Sequence, residues 1–195
     1  MAAARGDGGV TAVPPPRGPA RVLVIGYGNA LRTDDGVGCH AARLLAGDPR
    51  LAGAVVLACH QLAPELALDL SAATLVILVD ASTAAPPGTI TVRPLAAPGA
   101  SSPDGGPDRS GAGSAGEGPG ATSHHVDPQL LLALARELYG AAPEAIEVSV
   151  GVADMGPGEA LTPRVAAGLP AVADAVARLV AEHEERAAGE EREPA

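Results

Sequence analysis

The 195 residues include no Phe, no Trp and no Lys, and Tyr and Cys occur only twice each. Without Phe or Trp, any core must be packed from Leu, Val, Ile and Ala, which the 47% hydrophobic content supplies. Without Lys, the phosphate-gripping lysine of a P-loop is impossible. Cys39 and Cys59 have no CxxC spacing, so they form neither a disulfide framework nor a zinc ribbon, and they read as small buried residues in a reducing compartment. No run reaches the roughly 18 apolar residues that a membrane span requires. Gly and Pro interrupt residues 1–20, where a signal peptide would carry its apolar stretch. Positive charge is scarce as well: thirteen Arg face 23 Asp and Glu, for a net charge of −10. Phosphate backbones and anionic membrane surfaces repel such a chain, so neither nucleic acid nor membrane is an expected partner, and the expected location is cytoplasmic.

What is present alternates between strand and helix patterns. Residues 1–20 read as a disordered tail, and 21–183 as one domain. Arg21 to Gly26 is a continuous apolar run ending in glycine, the pattern of a parallel strand buried on both faces. A loop to Asp35 follows, then a helix over 36–46 with Val37, Ala41, Leu44 and Leu45 on one apolar face. Further strands are predicted at 54–58, 74–79, 89–92 and 146–150. Further helices are predicted at 64–72, at 128–139 behind the N-cap Asp127 with Gly140 as the stop, and from Thr162-Pro163 onward. The final helix carries Val165, Leu169, Val172, Val176 and Leu179 on one side. The segment at about 97–121 is nearly all Gly, Ser, Pro, Ala and Asp and reads as a flexible insertion; 184–195 reads as a solvated acidic tail. The alternation predicts a three-layer α/β sandwich, with a mostly parallel central sheet and helices on both faces.

Sites in such folds form beyond the carboxyl ends of the strands. Three places qualify. The first is the loop Gly26-Tyr-Gly-Asn-Ala-Leu-Arg-Thr-Asp-Asp-Gly-Val-Gly38. It lacks the third glycine of a dinucleotide fingerprint, and the second strand ends in Ala58-Cys59-His60 rather than in an acid, so no nucleotide cofactor is expected. The second is Asp80, directly after a purely apolar strand, where a carboxylate needs a partner. The third is Ser123-His124-His125 ahead of the Asp127 helix. Two carboxylates and an imidazole brought together suit a borderline divalent metal such as zinc or nickel. HExxH and GxSxG are both absent, which excludes a zincin and a nucleophile-elbow hydrolase.

At these residues the chain resembles the hydrogenase maturation endopeptidases. The motif GxGNxLxxDDGxG matches from Gly26 to Gly38. The strand ending in Asp80, the Ser-His pair before a helix, and Val150-Gly151 followed by Leu161-Thr162-Pro163 come in the same order. The resemblance spans most of 21–181, without the tails or the insertion. It implies a peptidase that removes the C-terminal extension of a nickel–iron hydrogenase large-subunit precursor after nickel insertion. It also implies a metal-binding and catalytic set of Asp35, Asp80 and His124, with nickel carried by the substrate. The insertion leaves the register near the imidazoles open, so His125 is the alternative to His124, whose spacing to the next helix fits better. The loop Asp154 to Glu159 departs from the family pattern. Asp34 reads as a structural bond-former beside Asp35, and Asn29 as either a loop-bonding residue or a holder of substrate backbone. Two rival functions remain open: a non-cutting assembly factor of the same fold that senses metal or subunit, and a small-ligand enzyme using the glycine loop.

Overall fold

The computed structural model describes residues 21–96, 126–141 and 143–190. The segment 1–20, the expected insertion, His124 and His125, and residues 191–195 lie outside the described residues. Strands β1 (Val22–Tyr27), β2 (Val55–Cys59), β3 (Leu75–Ser82), β4 (Ile90–Leu95) and β5 (Glu144–Gly151) form a sheet in the order β2-β1-β3-β5-β4. Helices α1 (Val37–Leu45), α2 (Leu66–Ser71), α3 (Pro128–Tyr139) and α4 (Pro163–Glu190) cover it. The pairings β1–β2, β1–β3 and β3–β5 are parallel, and β4 runs antiparallel along β5.

The layers follow from strand periodicity. Val22, Val24, Leu75, Ile77 and Val79 point to one face, where they meet Val37, Ala41 and Leu45 of α1 and Val165, Val172 and Val176 of α4. Leu23, Ile25, Val76 and Leu78 point to the other, against Ala67 and Leu70 of α2 and Leu131, Leu132 and Ala135 of α3. Successive side chains alternate across a strand, so the stretches of β1 and β3 buried on both sides, through Ile25 and Val79, must be apolar at every position. The mostly parallel three-layer α/β architecture is as expected. Pro94 is accommodated because β4 lies at the edge of the sheet, where a missing N–H disrupts no second partner.

Several elements differ from the sequence expectation. β3 does not stop at Val79. Asp80, Ala81 and Ser82 continue it by pairing with Ser149, Val150 and Gly151, whereas pairing with β1 ends at Gly26–Val79. Asp80 is therefore inside a strand, at the point where the sheet opens on one side. A 3-10 turn over Thr33–Gly36 precedes α1. Leu44 is 46% exposed, because the buried arc of α1 is built from Val37, Gly38, Ala41, Ala42 and Leu45 and leaves Leu44 past its edge. The stretch from 184 that reads as tail continues α4 as helix to Glu190. Its Ala, Glu and Arg are strong helix formers, and Arg186 and His183 anchor it to Glu144 of β5 at 3.0 and 3.3 Å.

α1 lies unusually close to the sheet. A Cβ on Gly38 would overlap the carbonyl oxygens of Tyr27 and Val79, and one on Gly26 would overlap the Gly38 carbonyl. This contact fixes the end of β1, and with it the loop that carries Asp34 and Asp35.

Candidate active site

A cleft of ≈ 690 Å³ opens at the carboxyl ends of the parallel strands. Its walls come from the loop after β1 (Tyr27, Gly28, Asn29, Arg32, Asp35), the end of β2 (His60, Gln61, Leu62), Asp80 on β3, and the start of α3 (Val126, Asp127, Pro128). Asp35 and Asp80, distant in sequence, thus line one cavity. Its far wall begins at Val126, the residue after His125.

The glycine loop reaches this position by folding back on itself. Gly28 has φ 133°, where a Cβ would overlap the Asp35 carbonyl oxygen. Asn29 closes an Asx turn, its Oδ1 accepting the Leu31 N–H at 2.9 Å. Thr33 has φ 42°, a left-handed conformation that β-branched residues rarely adopt. The loop following β5 holds it there: the Thr33 N–H donates to Gly158 O at 2.7 Å and its Oγ1 to Gly156 O at 2.9 Å. Arg32 Nε donates to Met155 O at 3.1 Å in the same loop. The stretch 154–159, which departs from the family pattern, is therefore a brace for the glycine motif.

The adjacent acids face opposite ways. Asp34 is fully buried. Its carboxylate accepts from the backbone N–H of Thr162 at 2.7 Å, from Thr162 Oγ1 at 2.9 Å, and from the N–H groups of Ala153 and Asp154 at 3.2 Å each. Burial pushes this carboxyl upward, but the four donors outweigh it and hold it below the usual carboxylate range. Asp34 is thus the structural member of the pair, as its position suggested, and it leaves Asp35 turned to the cleft.

Asp80 has the opposite character. Desolvation pushes its carboxyl up to about 6; the Tyr27 hydroxyl and the Ala81 N–H, at 2.7 Å, bond to it and oppose the rise, while Glu147 and Asp35 add to it. Burial and the Asp80 carboxylate push the Tyr27 hydroxyl far upward, so Tyr27 is a fixed donor. Glu147, itself buried, pairs with Arg93 across β4–β5, which keeps its charge satisfied behind Asp80.

Tyr27, Glu147 and Asp127 were not among the expected site residues. Tyr27 had a signal, being one of two tyrosines and sitting between two glycines at a strand end. Asp127 was legible only as an N-cap, a role it fills by accepting the Gln129 N–H at 2.7 Å. Cys39 and Cys59 are free thiols, buried and half-buried. Among the described residues no group of three or more His, Cys, Asp or Glu side chains could hold a metal ion.

The fold and cleft define an α/β protein with an acidic site at the carboxyl edge of a parallel sheet. Solved structures of hydrogenase maturation proteases share this fold. HybD, the hydrogenase maturating endopeptidase from E. coli, superposes with a TM-score of 0.61 at 21% identity, over 84% of this chain and 94% of that one. HycI, a [NiFe] hydrogenase maturation protease from Thermococcus kodakarensis KOD1, gives 0.59 at 19% identity, over 83% and 93%. A hydrogenase 2 maturation peptidase from Thaumarchaeota archaeon SCGC_AB-539-E09 gives 0.57 at 22%, over 83% and 98%. No family model and no curated protein sequence matches the chain. The fold implied by the glycine motif is the fold observed.

Proposed function

We propose that this protein is a hydrogenase maturation endopeptidase, which removes the C-terminal extension of a nickel–iron hydrogenase large-subunit precursor after nickel insertion. The observation that carries the proposal is the meeting of Asp35 and Asp80 in one cleft, on a chain whose glycine motif and fold both match that family. Two carboxylates, one of them desolvated, fit a borderline divalent cation when an imidazole completes the set. His124 is assigned that role, with His125 as the alternative; the pair directly precedes Val126 on the cleft wall. The nickel is cargo of the substrate, and the acidic cleft reads it as the mark of a completed subunit.

The chain's own residues do the positioning. Tyr27 fixes the Asp80 carboxylate, and the Asp34 tie fixes the backbone of Asp35. The Asn29 Oδ1 accepts the Leu31 N–H, which leaves the amide Nδ2 as the group to donate to a peptide carbonyl in the cleft that Asn29 lines. Docking of the precursor onto the carboxylates makes attack on the neighbouring peptide bond effectively intramolecular. No helix of the described residues is long and apolar enough to cross a membrane.

The test is the mass of a nickel-loaded precursor after incubation with this protein. Loss of the extension with wild type, and its retention with Asp35→Ala or Asp80→Ala, is the expected result. Stable complex formation with no change in mass would instead identify a non-cutting assembly factor, and full cleavage by Asp80→Ala would remove the metal-docking mechanism.

A further inference from the structure

A second cavity, of ≈ 380 Å³, lies on the other side of the glycine loop. Gly28, Asn29 and His60 border both it and the acidic cleft, so the two are contiguous across a narrow ridge. Its size falls within the range of ligand-binding pockets. Its floor holds the thiols of Cys39 and Cys59, which burial pushes upward, Cys59 to about 11, and which therefore stay neutral. Its rim carries Leu31, 65% exposed, and the guanidinium of Arg43 from α1. Arg43 is exposed and makes no ion pair or hydrogen bond with any described residue. In a chain of net charge −10, an exposed cation that pairs with no described residue, set beside an apolar rim, suits an acidic ligand.

We propose that this second cavity is a subsite for the peptide being cut, taking a stretch next to the scissile bond that pairs an apolar side chain with a carboxylate. The proposal rests on the endopeptidase reading above. Charge sets the register. The acidic cleft, with Asp35, Asp80 and Asp127, repels an acidic stretch and attracts a metal-bearing one, while Arg43 does the reverse next door. An extended chain crossing the Asn29–His60 ridge satisfies both at once. Leu31 then contacts the apolar side chain, and Arg43 pairs with the carboxylate.

The experiment is steady-state cleavage of the nickel-loaded precursor by wild type, Arg43→Lys and Arg43→Glu, with binding of the same precursor followed by biolayer interferometry. Arg43→Glu replaces an attraction at an exposed site by a repulsion, so KM and the dissociation constant should rise about five- to tenfold. kcat should stay within about twofold of wild type, and Arg43→Lys should lie near wild type. A precursor whose acidic residues flanking the cut are replaced by their amides should erase the difference between wild type and Arg43→Glu. Equal KM for Arg43→Glu and wild type on the unmodified precursor overturns the subsite, as does a difference that survives on the amide precursor. If wild type binds the precursor in an Arg43-dependent way but never shortens it, recognition of an acidic stretch by this cavity stands while the peptidase reading, and with it the place beside a scissile bond, falls.

Discussion

Replacing Asp34 by Ala should cost more stability than any other single truncation in the glycine loop. The side chain is fully buried, and its two oxygens are the acceptors for three backbone N–H groups and one hydroxyl. Alanine removes the acceptors and leaves the part-buried N–H groups of Ala153, Asp154 and Thr162 without this partner. A donor left unsatisfied costs up to about 1–3 kcal/mol, less where water reaches it. Breaking a buried charged network by removing one member costs about 3–5 kcal/mol in all, because partial relaxation makes the contributions less than additive. A domain with about 5–15 kcal/mol of total stability would then be near its folding limit at 37 °C. Asp34→Asn keeps the shape but turns an amide NH₂ toward donors, and should cost about half as much. The sign of the pH dependence is also fixed. The folded carboxyl lies below its unfolded value, so its contribution is fully present above the ordinary Asp value of about 4 and is lost as pH falls through the folded value. Urea unfolding followed by circular dichroism at neutral pH and between pH 5 and 3 gives both numbers. A loss below about 1 kcal/mol for Asp34→Ala, with an unchanged slope against denaturant, would refute the tie between the glycine loop and the loop after β5.

Three further outcomes are expected. Asp80 carries the opposite pH signature: its folded carboxyl is raised to about 6, so the native state binds the extra proton and stability falls as pH rises from about 4 to 6. After allowance for solvent screening the fall is about 2 kcal/mol, and Asp80→Asn should abolish it in urea midpoints measured across that range. Gly38→Ala places a methyl group against the Tyr27 and Val79 carbonyls, which cannot yield as a side-chain tip would; thermal unfolding should show a loss of about 2–3 kcal/mol, and an unchanged Tm would contradict the close approach of α1. Asp127→Ala removes the N-cap of α3 and should cost about 1 kcal/mol in the same assay.

The elements legible in the sequence were those whose burial leaves a one-dimensional trace. β1 and β3 are apolar over Val22 to Ile25 and Leu75 to Val79, where both faces are covered, and α3 carries its own punctuation in Asp127, Pro128 and Gly140. The direction of β4 was not legible, since a short strand reads the same in either sense and its pairing with β5 is non-local. The length of α4 was hidden because its last turns are polar on nearly every side, so no apolar period marks them. On α1, no sequence pattern marked Gly38 as the packing residue that draws the helix against the sheet, with the buried arc leaving Leu44 at its edge. At the site, Asp34, Asp35 and Asp80 were visible as acids at strand ends and in the motif. Tyr27 and Glu147 were not, because what they do to Asp80 depends on distances across strands that no local pattern encodes.

The central claim is that Asp35 and Asp80 share one cation with an imidazole just ahead of α3. Titration of the full-length protein with Ni²⁺ by isothermal calorimetry at pH 7.5 tests it directly. One site per chain is predicted for wild type and for His125→Ala, and no measurable site for Asp35→Ala, Asp80→Ala or His124→Ala. An undiminished site in either aspartate variant would contradict the account.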